Sequence, residues 1–64
     1  MNFSEMLRDL RKEKNLTQEE LAERLNVSRQ SVTKWENGKS LPDLVNIKKI
    51  SHIFSVSIDL LVKD

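Results

Sequence analysis

Two short helical segments, separated by a turn of about three residues, constrain the fold of this 64-residue chain more than any other feature. The first begins at Thr17, which forms a capping box with Glu20, and ends at Asn26, a residue type that tolerates positive φ. The second begins at Ser28 and ends at Asn37-Gly38. Because a turn this short prevents antiparallel packing, we expect the two helices to cross steeply, at roughly 90–120°.

A steep, close crossing requires a small residue on the first helix and apolar anchors on the second. Ala22 is the small residue, and Val32 and Trp35 are anchors that share one helical face. The positions that agree in both residue type and spacing are Leu21, Ala22, Leu25, Asn26, Val27, Val32 and Trp35. This pattern is typical of a helix-turn-helix and predicts such a motif over about residues 17–37.

Three further helices are predicted around this motif. The first begins at the cap residue Asn2 and ends near Asn15, the fourth begins at Asp43, and the fifth begins at Ser57 and runs to the C-terminus. The apolar stripe of the first helix comprises Phe3, Met6, Leu7 and Leu10, and that of the fourth comprises Leu44, Ile47, Ile50 and Phe54. No useful length of sequence alternates with period two. We therefore expect residues 1–64 to form one all-α domain, a compact bundle of five short helices.

The composition argues against an enzyme. There is no cysteine, no glycine-rich phosphate loop and no arguable pair of base and nucleophile, and His52 is the only histidine. We expect no cofactor, no metal and no small-molecule ligand. Residues 2–14 are too charged for a secretory signal and no apolar run approaches a membrane span, so a cytoplasmic protein without a membrane partner is expected. The net charge of +1 neither favours nor excludes nucleic acid.

The run LTQEELAERLNVSRQSVTKWENGKSLPD resembles the Cro and lambda-repressor type of helix-turn-helix, also called the xenobiotic-response-element family. The resemblance extends from Phe3 to Leu61, and its most specific pieces are TQEELA, VSRQSVTKWENGK and VSIDLL. Two positions that are usually Gly in the family are Asn26 and Ser55 here. The resemblance implies a five-helix lambda-repressor-like domain and a transcriptional regulator that binds double-stranded DNA.

In this family the second helix of the motif lies in the major groove, with its N-terminal side chains at the base edges. With Val32 and Trp35 facing inward, the outward positions are Ser28, Arg29, Gln30, Thr33 and Lys34. Gln can pair with adenine and Arg or Lys with guanine, so we expect Arg29, Gln30 and Lys34 to read bases. For Ser28 and Thr33, contacts with bases and with phosphates both remain open.

Phosphate contacts are expected on both sides of this recognition helix. The resemblance implies that Gln18 binds a phosphate at the N-terminus of the second helix, and that Asn37 and Lys39 form a second clamp. It also implies a pair between Arg11 and Glu36 that orients Arg11 toward the DNA backbone and ties the recognition helix to the first helix.

The partners expected beyond DNA follow from apolar residues that the core stripes leave over. Not all of the apolar side chains Phe3, Val45, Ile53, Leu60 and Val62 fit on inward faces. We expect a homodimer through the fifth helix and its preceding loop, a near-palindromic operator, and repression by occluding that operator. The alternative is a protein-interaction module, such as an antitoxin-type protein that holds a partner and also binds DNA.

Overall fold

The computed structural model describes residues 2–62, which form five α-helices and no strand. The helices are α1 (Phe3–Glu13), α2 (Gln18–Leu25), α3 (Arg29–Glu36), α4 (Leu44–Phe54) and α5 (Ile58–Val62). The predicted all-α bundle of five short helices is confirmed. The expected continuation of α5 to the C-terminus concerns residues 63 and 64, which lie outside the described residues.

Local hydrogen bonds at the helix starts explain why the helices begin where they do. The side chains of Asn2, Thr17, Ser28 and Asp43 each accept a bond from the backbone N–H three residues later. The caps at Asn2 and Thr17 are full capping boxes, in which a Glu carboxylate returns to the backbone N–H of the cap. Each such bond satisfies a donor that has no partner inside the helix, so these starts are set by the sequence itself.

Left-handed residues end the helices and reverse the chain. Asn15, Asn26 and Ser55 have φ values of 57°, 59° and 54°, and Gly38 has a φ of 74°. Asn26 thus provides the left-handed turn between α2 and α3 that its residue type predicts. Ser55 adopts the same conformation although serine gains less from it than glycine or asparagine.

The core is a single cluster of buried apolar side chains to which every helix contributes. Val32 and Trp35 of α3 belong to it, with Leu21, Ala22 and Leu25 of α2. The other members are Leu7, Leu16, Ile47, Ile50, Phe54 and Leu61. Ala22 is almost fully buried, as expected of a small residue where two helices approach closely.

The predicted apolar stripe of α4 is wrong at its first residue, since Leu44 is 62% exposed. At about 100° per residue, Ile47, Ile50 and Phe54 fall within roughly 60° of one another around the helix, whereas Leu44 lies roughly 60–120° away from them. Leu44 is therefore the first residue of α4 but not part of its buried face. Of the residues left over from the stripes, Phe3 and Ile53 pack partly against the core, while Val45, Leu60 and Val62 are exposed.

Among residues 2–62, none of the helices combines the length and the apolar character that crossing a lipid bilayer requires.

Candidate nucleic-acid interface

The orientation of α3 is fixed by two side chains that point into the core. Val32 is fully buried and Trp35 is 6% exposed. Arg29, Gln30 and Lys34 lie on other faces of the same helix, and all three are exposed. The structure therefore presents the three predicted base-reading side chains together along one exposed helix.

The N-terminus of α3 is open and carries no acidic residue in its first turn. The hydroxyl of its cap, Ser28, accepts the Ser31 N–H at 3.1 Å and lies 3.1 Å from the Ser31 hydroxyl. The positive end of the helix dipole therefore faces solvent beside Arg29 and Gln30 without a carboxylate to neutralise it. Such an end favours an anion.

The carboxylate of Glu36 is the only acidic group on α3, and it points inward. Glu36 is 1% exposed, and its Oε2 and Oε1 accept bonds from Arg11 Nε at 2.7 Å and Nη2 at 3.0 Å. Hydrogen bonding to Glu36 raises the pKa of Arg11, against the smaller lowering effect of burial. With this carboxylate paired and buried, the exposed surface of α3 carries the positive charges of Arg29 and Lys34 alone.

Arg11 is committed to contacts inside the protein. In addition to its two bonds with Glu36, its Nη1 donates to the carbonyl of Leu16 at 2.7 Å, and its side chain is 12% exposed. The pair expected between Arg11 and Glu36 is thus present and joins α1 to the end of α3. A contact of Arg11 with DNA phosphate stays a prediction.

Gln18, the first residue of α2, is oriented by two residues of α3. Its Nε2 donates to Glu36 Oε1 at 3.1 Å, and its Oε1 accepts the Thr33 hydroxyl at 3.0 Å. The Thr33 hydroxyl also lies 3.0 Å from the Arg29 carbonyl. These contacts fix the orientation of the Gln18 side-chain amide. One N–H of Nε2 is bonded to Glu36, and the other is left for a further acceptor.

The pair of Arg11 and Glu36 was expected, but its extension to Gln18 and Thr33 was not predicted from the sequence. One signal was available, because Thr33 and Glu36 are three residues apart and thus share a helical face. The predicted roles of Gln18 as a phosphate ligand and of Thr33 as a DNA contact remain predictions. Asn37 and Lys39 are exposed and directly follow α3, and their role as a second phosphate clamp remains a prediction.

Within the described part of the chain, no three His, Cys, Asp or Glu side chains are grouped so that they could hold a metal ion.

Comparison with known proteins identifies close relatives over nearly the whole chain. A helix-turn-helix family model matches residues 7–61. The HTH-type transcriptional activator BcrR of Enterococcus faecalis is 55% identical over 62 residues, which are 97% of this chain and 30% of that protein. The cryptic phage CTXphi transcriptional repressor RstR of Vibrio cholerae is 37% identical over 62 residues, 97% of this chain and 56% of that protein. The chain thus spans about a third to a half of these relatives.

Solved structures with the same architecture include a repressor bound to DNA and an enzyme. The P22 c2 repressor in complex with a synthetic operator aligns with a TM-score of 0.93 and 27% identity, over 98% of this chain and 96% of that one. Hydroxypropylphosphonic acid epoxidase from S. wedmorenis aligns with a TM-score of 0.80 and 32% identity, over 92% of this chain and 31% of that one. The family match, the relatives and the fold agree, and the chain belongs to the Cro- and lambda-repressor-like helix-turn-helix family.

Proposed function

We propose that this chain is the DNA-binding part of a transcriptional regulator, and that it recognises a specific sequence in double-stranded DNA through α3. One observation carries the proposal: burial of Val32 and Trp35 turns Arg29, Gln30 and Lys34 outward on an exposed helix. The sole carboxylate of that helix is buried and paired, so nothing on the exposed face repels phosphate. The likeness to a repressor bound to its operator supports the same role.

The proposed base contacts follow from the chemistry of the exposed groups. Gln30 pairs with adenine, and Arg29 and Lys34 donate to guanine. Because the Thr33 hydroxyl is bonded to Gln18, the group it offers to DNA is its methyl, which suits contact with a thymine methyl. Ser28 acts mainly as the cap that sets where α3 begins.

The proposed phosphate contacts lie on either side of α3. Gln18 uses its remaining Nε2 hydrogen and the backbone N–H groups at the start of α2. Asn37 and Lys39 contact the DNA backbone beyond the other end of α3. Arg11 contributes by fixing Glu36, and through Glu36 the amide of Gln18.

We propose that two copies bind together, through α5. Leu60 and Val62 on this helix are 46% and 58% exposed, so both side chains are available for an apolar contact. A symmetric pair would place two α3 helices about one DNA turn apart, roughly 34 Å, and would require a near-palindromic operator. The proposed regulatory effect is repression by occlusion of the operator. The relatives RstR are named transcriptional repressors, whereas BcrR is named an activator.

A second candidate function is a protein-interaction module that holds another protein and also binds DNA. The observation that favours it is a further set of exposed apolar side chains, just before and at the start of α4. This set consists of Leu41, Leu44 and Val45.

Selection of bound sequences from a pool of random duplexes tests the proposal directly. We expect enrichment of one half-site, repeated with two-fold symmetry at a spacing of about one helical turn. Absence of any enriched sequence would contradict specific DNA binding, and an enriched site without symmetry would contradict the dimer. In vitro transcription from a promoter that contains the selected site tests the regulatory effect, and repression predicts less transcript as the protein is added.

A further inference from the structure

A shallow cleft of about 390 Å³ lies between the end of α2 and the second half of α4. Its lining consists of Arg24 from α2 and of Lys48, Lys49, His52 and Ile53 from α4. None of these residues belongs to the set proposed above for DNA recognition. We propose that this cleft is a second anion site and that it binds a phosphate group.

The charges around the cleft have one sign. Three of its five lining residues are Arg or Lys, the fourth is the only histidine of the sequence, and none is acidic. Over residues 2–62 the ion pair in the structure joins Arg11 to Glu36, so no carboxylate lies within 4 Å of the cleft cations. Along α2, Glu23 directly precedes Arg24 but lies about 100° away around the helix. Glu20 lies one turn before Arg24, and its carboxylate accepts the Thr17 N–H at 2.8 Å. Like charges held close together repel one another, and a bound anion removes that cost.

One of the cations is fixed in place. Lys49 Nζ donates to the carbonyl of Leu25, the last residue of α2, at 3.0 Å. This bond caps the negative end of α2, and it leaves two further hydrogens on the ammonium group for a ligand. The site is therefore partly organised before any anion arrives, which lowers the entropic cost of binding.

The other lining residues are arranged around this fixed ammonium. Lys48 and His52 are one turn apart on α4 and so lie on the same side of the helix. Arg24 faces them from α2 and provides a planar set of donors that matches phosphate oxygens. The partly buried side chain of Ile53 contributes the apolar wall of the cleft.

A phosphate group can reach this cleft from two sources. One is the backbone of a DNA strand that continues past α3, since Arg24 lies only four residues before the cap of that helix. The other is a small phosphorylated molecule in solution. Both present the same chemistry, and the experiment separates them.

Pyrophosphate is the probe, titrated into the free protein while backbone amide resonances are recorded, with sodium chloride at equal ionic strength as the reference. We expect saturable shifts confined to the cleft, at residues 24–25 and 48–53. The variant Arg24→Gln/Lys48→Gln should bind about tenfold more weakly, because it loses two charge-assisted donors but keeps the Lys49 cap. The charge-matched control Lys12→Gln/Lys14→Gln, on the exposed end of α1, should bind as the unaltered chain does. Shifts that do not saturate, or that weaken equally in both variants, would overturn the proposal.

Measuring the affinity for duplex DNA as a function of salt concentration then identifies the source of the phosphate group. If DNA supplies the phosphate, Arg24→Gln/Lys48→Gln lowers the slope of log K against log salt by about 1–2, and pyrophosphate competes with DNA. If a small molecule supplies it, the slope for this variant stays unchanged although its pyrophosphate binding is weakened. The amide titration needs no DNA, so its result stands apart from the proposed regulatory function.

Discussion

Arg11 and Glu36, which are 25 residues apart in the sequence, are joined by two hydrogen bonds of 2.7 and 3.0 Å. Because Glu36 also accepts from Gln18 at 3.1 Å, one buried carboxylate connects α1, the start of α2 and the end of α3. The face of α3 proposed to read DNA is thus held to two other helices by polar contacts as well as by the core. Fixed orientation of this helix is what a specific interface requires.

Replacing only one member of the Arg11–Glu36 ion pair should destabilise the fold strongly. We expect Arg11→Met to destabilise the fold by about 3–5 kcal/mol, because within residues 2–62 it leaves the buried Glu36 carboxylate bonded to the side chain of Gln18 alone. Urea unfolding followed by circular dichroism measures the loss. Lys12→Met, on the exposed side of the same helix, is the control and should change stability little.

Replacing both Arg11 and Glu36 distinguishes the effect of an unpaired buried charge from the effect of lost packing. The double variant Arg11→Met/Glu36→Leu should recover most of the stability lost in Arg11→Met, because no unpaired charge remains in the interior. A double variant no more stable than the single one would contradict this explanation.

The proposed base contacts predict a loss of discrimination. Arg29→Ala and Gln30→Ala should each weaken binding to the selected site by about 1–3 kcal/mol and relax the preference at one base position. Lys39→Ala should instead weaken binding to all duplexes alike and lower the salt slope by about 1. Competition assays with single-base variants of the site measure both effects. Binding that survives all three changes would rule out the proposed docking of α3.

The left-handed conformation of Ser55 offers a stabilising substitution. With a φ of 54°, this exposed serine is strained in a way that glycine is not, so Ser55→Gly should raise stability by about 1 kcal/mol. The control is Ser40→Gly. Ser40 is an exposed loop residue that does not have a positive φ, so this substitution should not raise stability. Thermal unfolding of both variants tests this, and a destabilised Ser55→Gly variant would show that strain is not the dominant effect there.

The capping box of α2 predicts a dependence of stability on acid. Hydrogen bonds from the backbone N–H of Thr17, then its side chain, and to a smaller extent the charge of Arg24 lower the pKa of Glu20 below its ordinary value of 4.5. The stability that Glu20 contributes is fully present above its pKa in the unfolded state. It is lost as the pH falls through its lower pKa in the folded state. Glu20→Gln cannot titrate, so the difference in Tm between the wild type and this variant should shrink as the pH is lowered below 4.5. A difference that stays constant with pH would exclude this contribution.

The proposed dimer depends on exposed apolar residues of α5. Leu60→Ser should lower the sedimentation coefficient toward that of a monomer while the helical spectrum is retained, because the side chain is already 46% exposed in one copy. Leu44→Ser removes an equally apolar and more exposed side chain from α4 and is the matched control. Identical behaviour of the two variants would count against an interface at α5.

The relation between sequence and structure differs between local and distant features. The caps at Asn2, Thr17, Ser28 and Asp43 were predictable because each is a bond between residues three apart. The inward position of Val32 and Trp35 was equally predictable, since helical periodicity alone places them on one face. Leu44 was placed wrongly, because it lies three residues before Ile47, as a helical stripe allows, but points away from the buried side of the helix.

The amino-acid sequence alone determined where the helices begin, where the chain turns and which face of α3 is apolar, because these depend on contacts within about four residues. Tertiary structure alone decided that Gln18 and Thr33 join the Arg11–Glu36 pair and that Arg24 meets Lys48 and Lys49 across a cleft. The residues that form hydrogen bonds with one another in this network are 15 to 25 positions apart in the sequence. Whether they meet depends on the angle and distance at which the helices pack around the shared core. A pattern of residue types along the chain does not carry that angle.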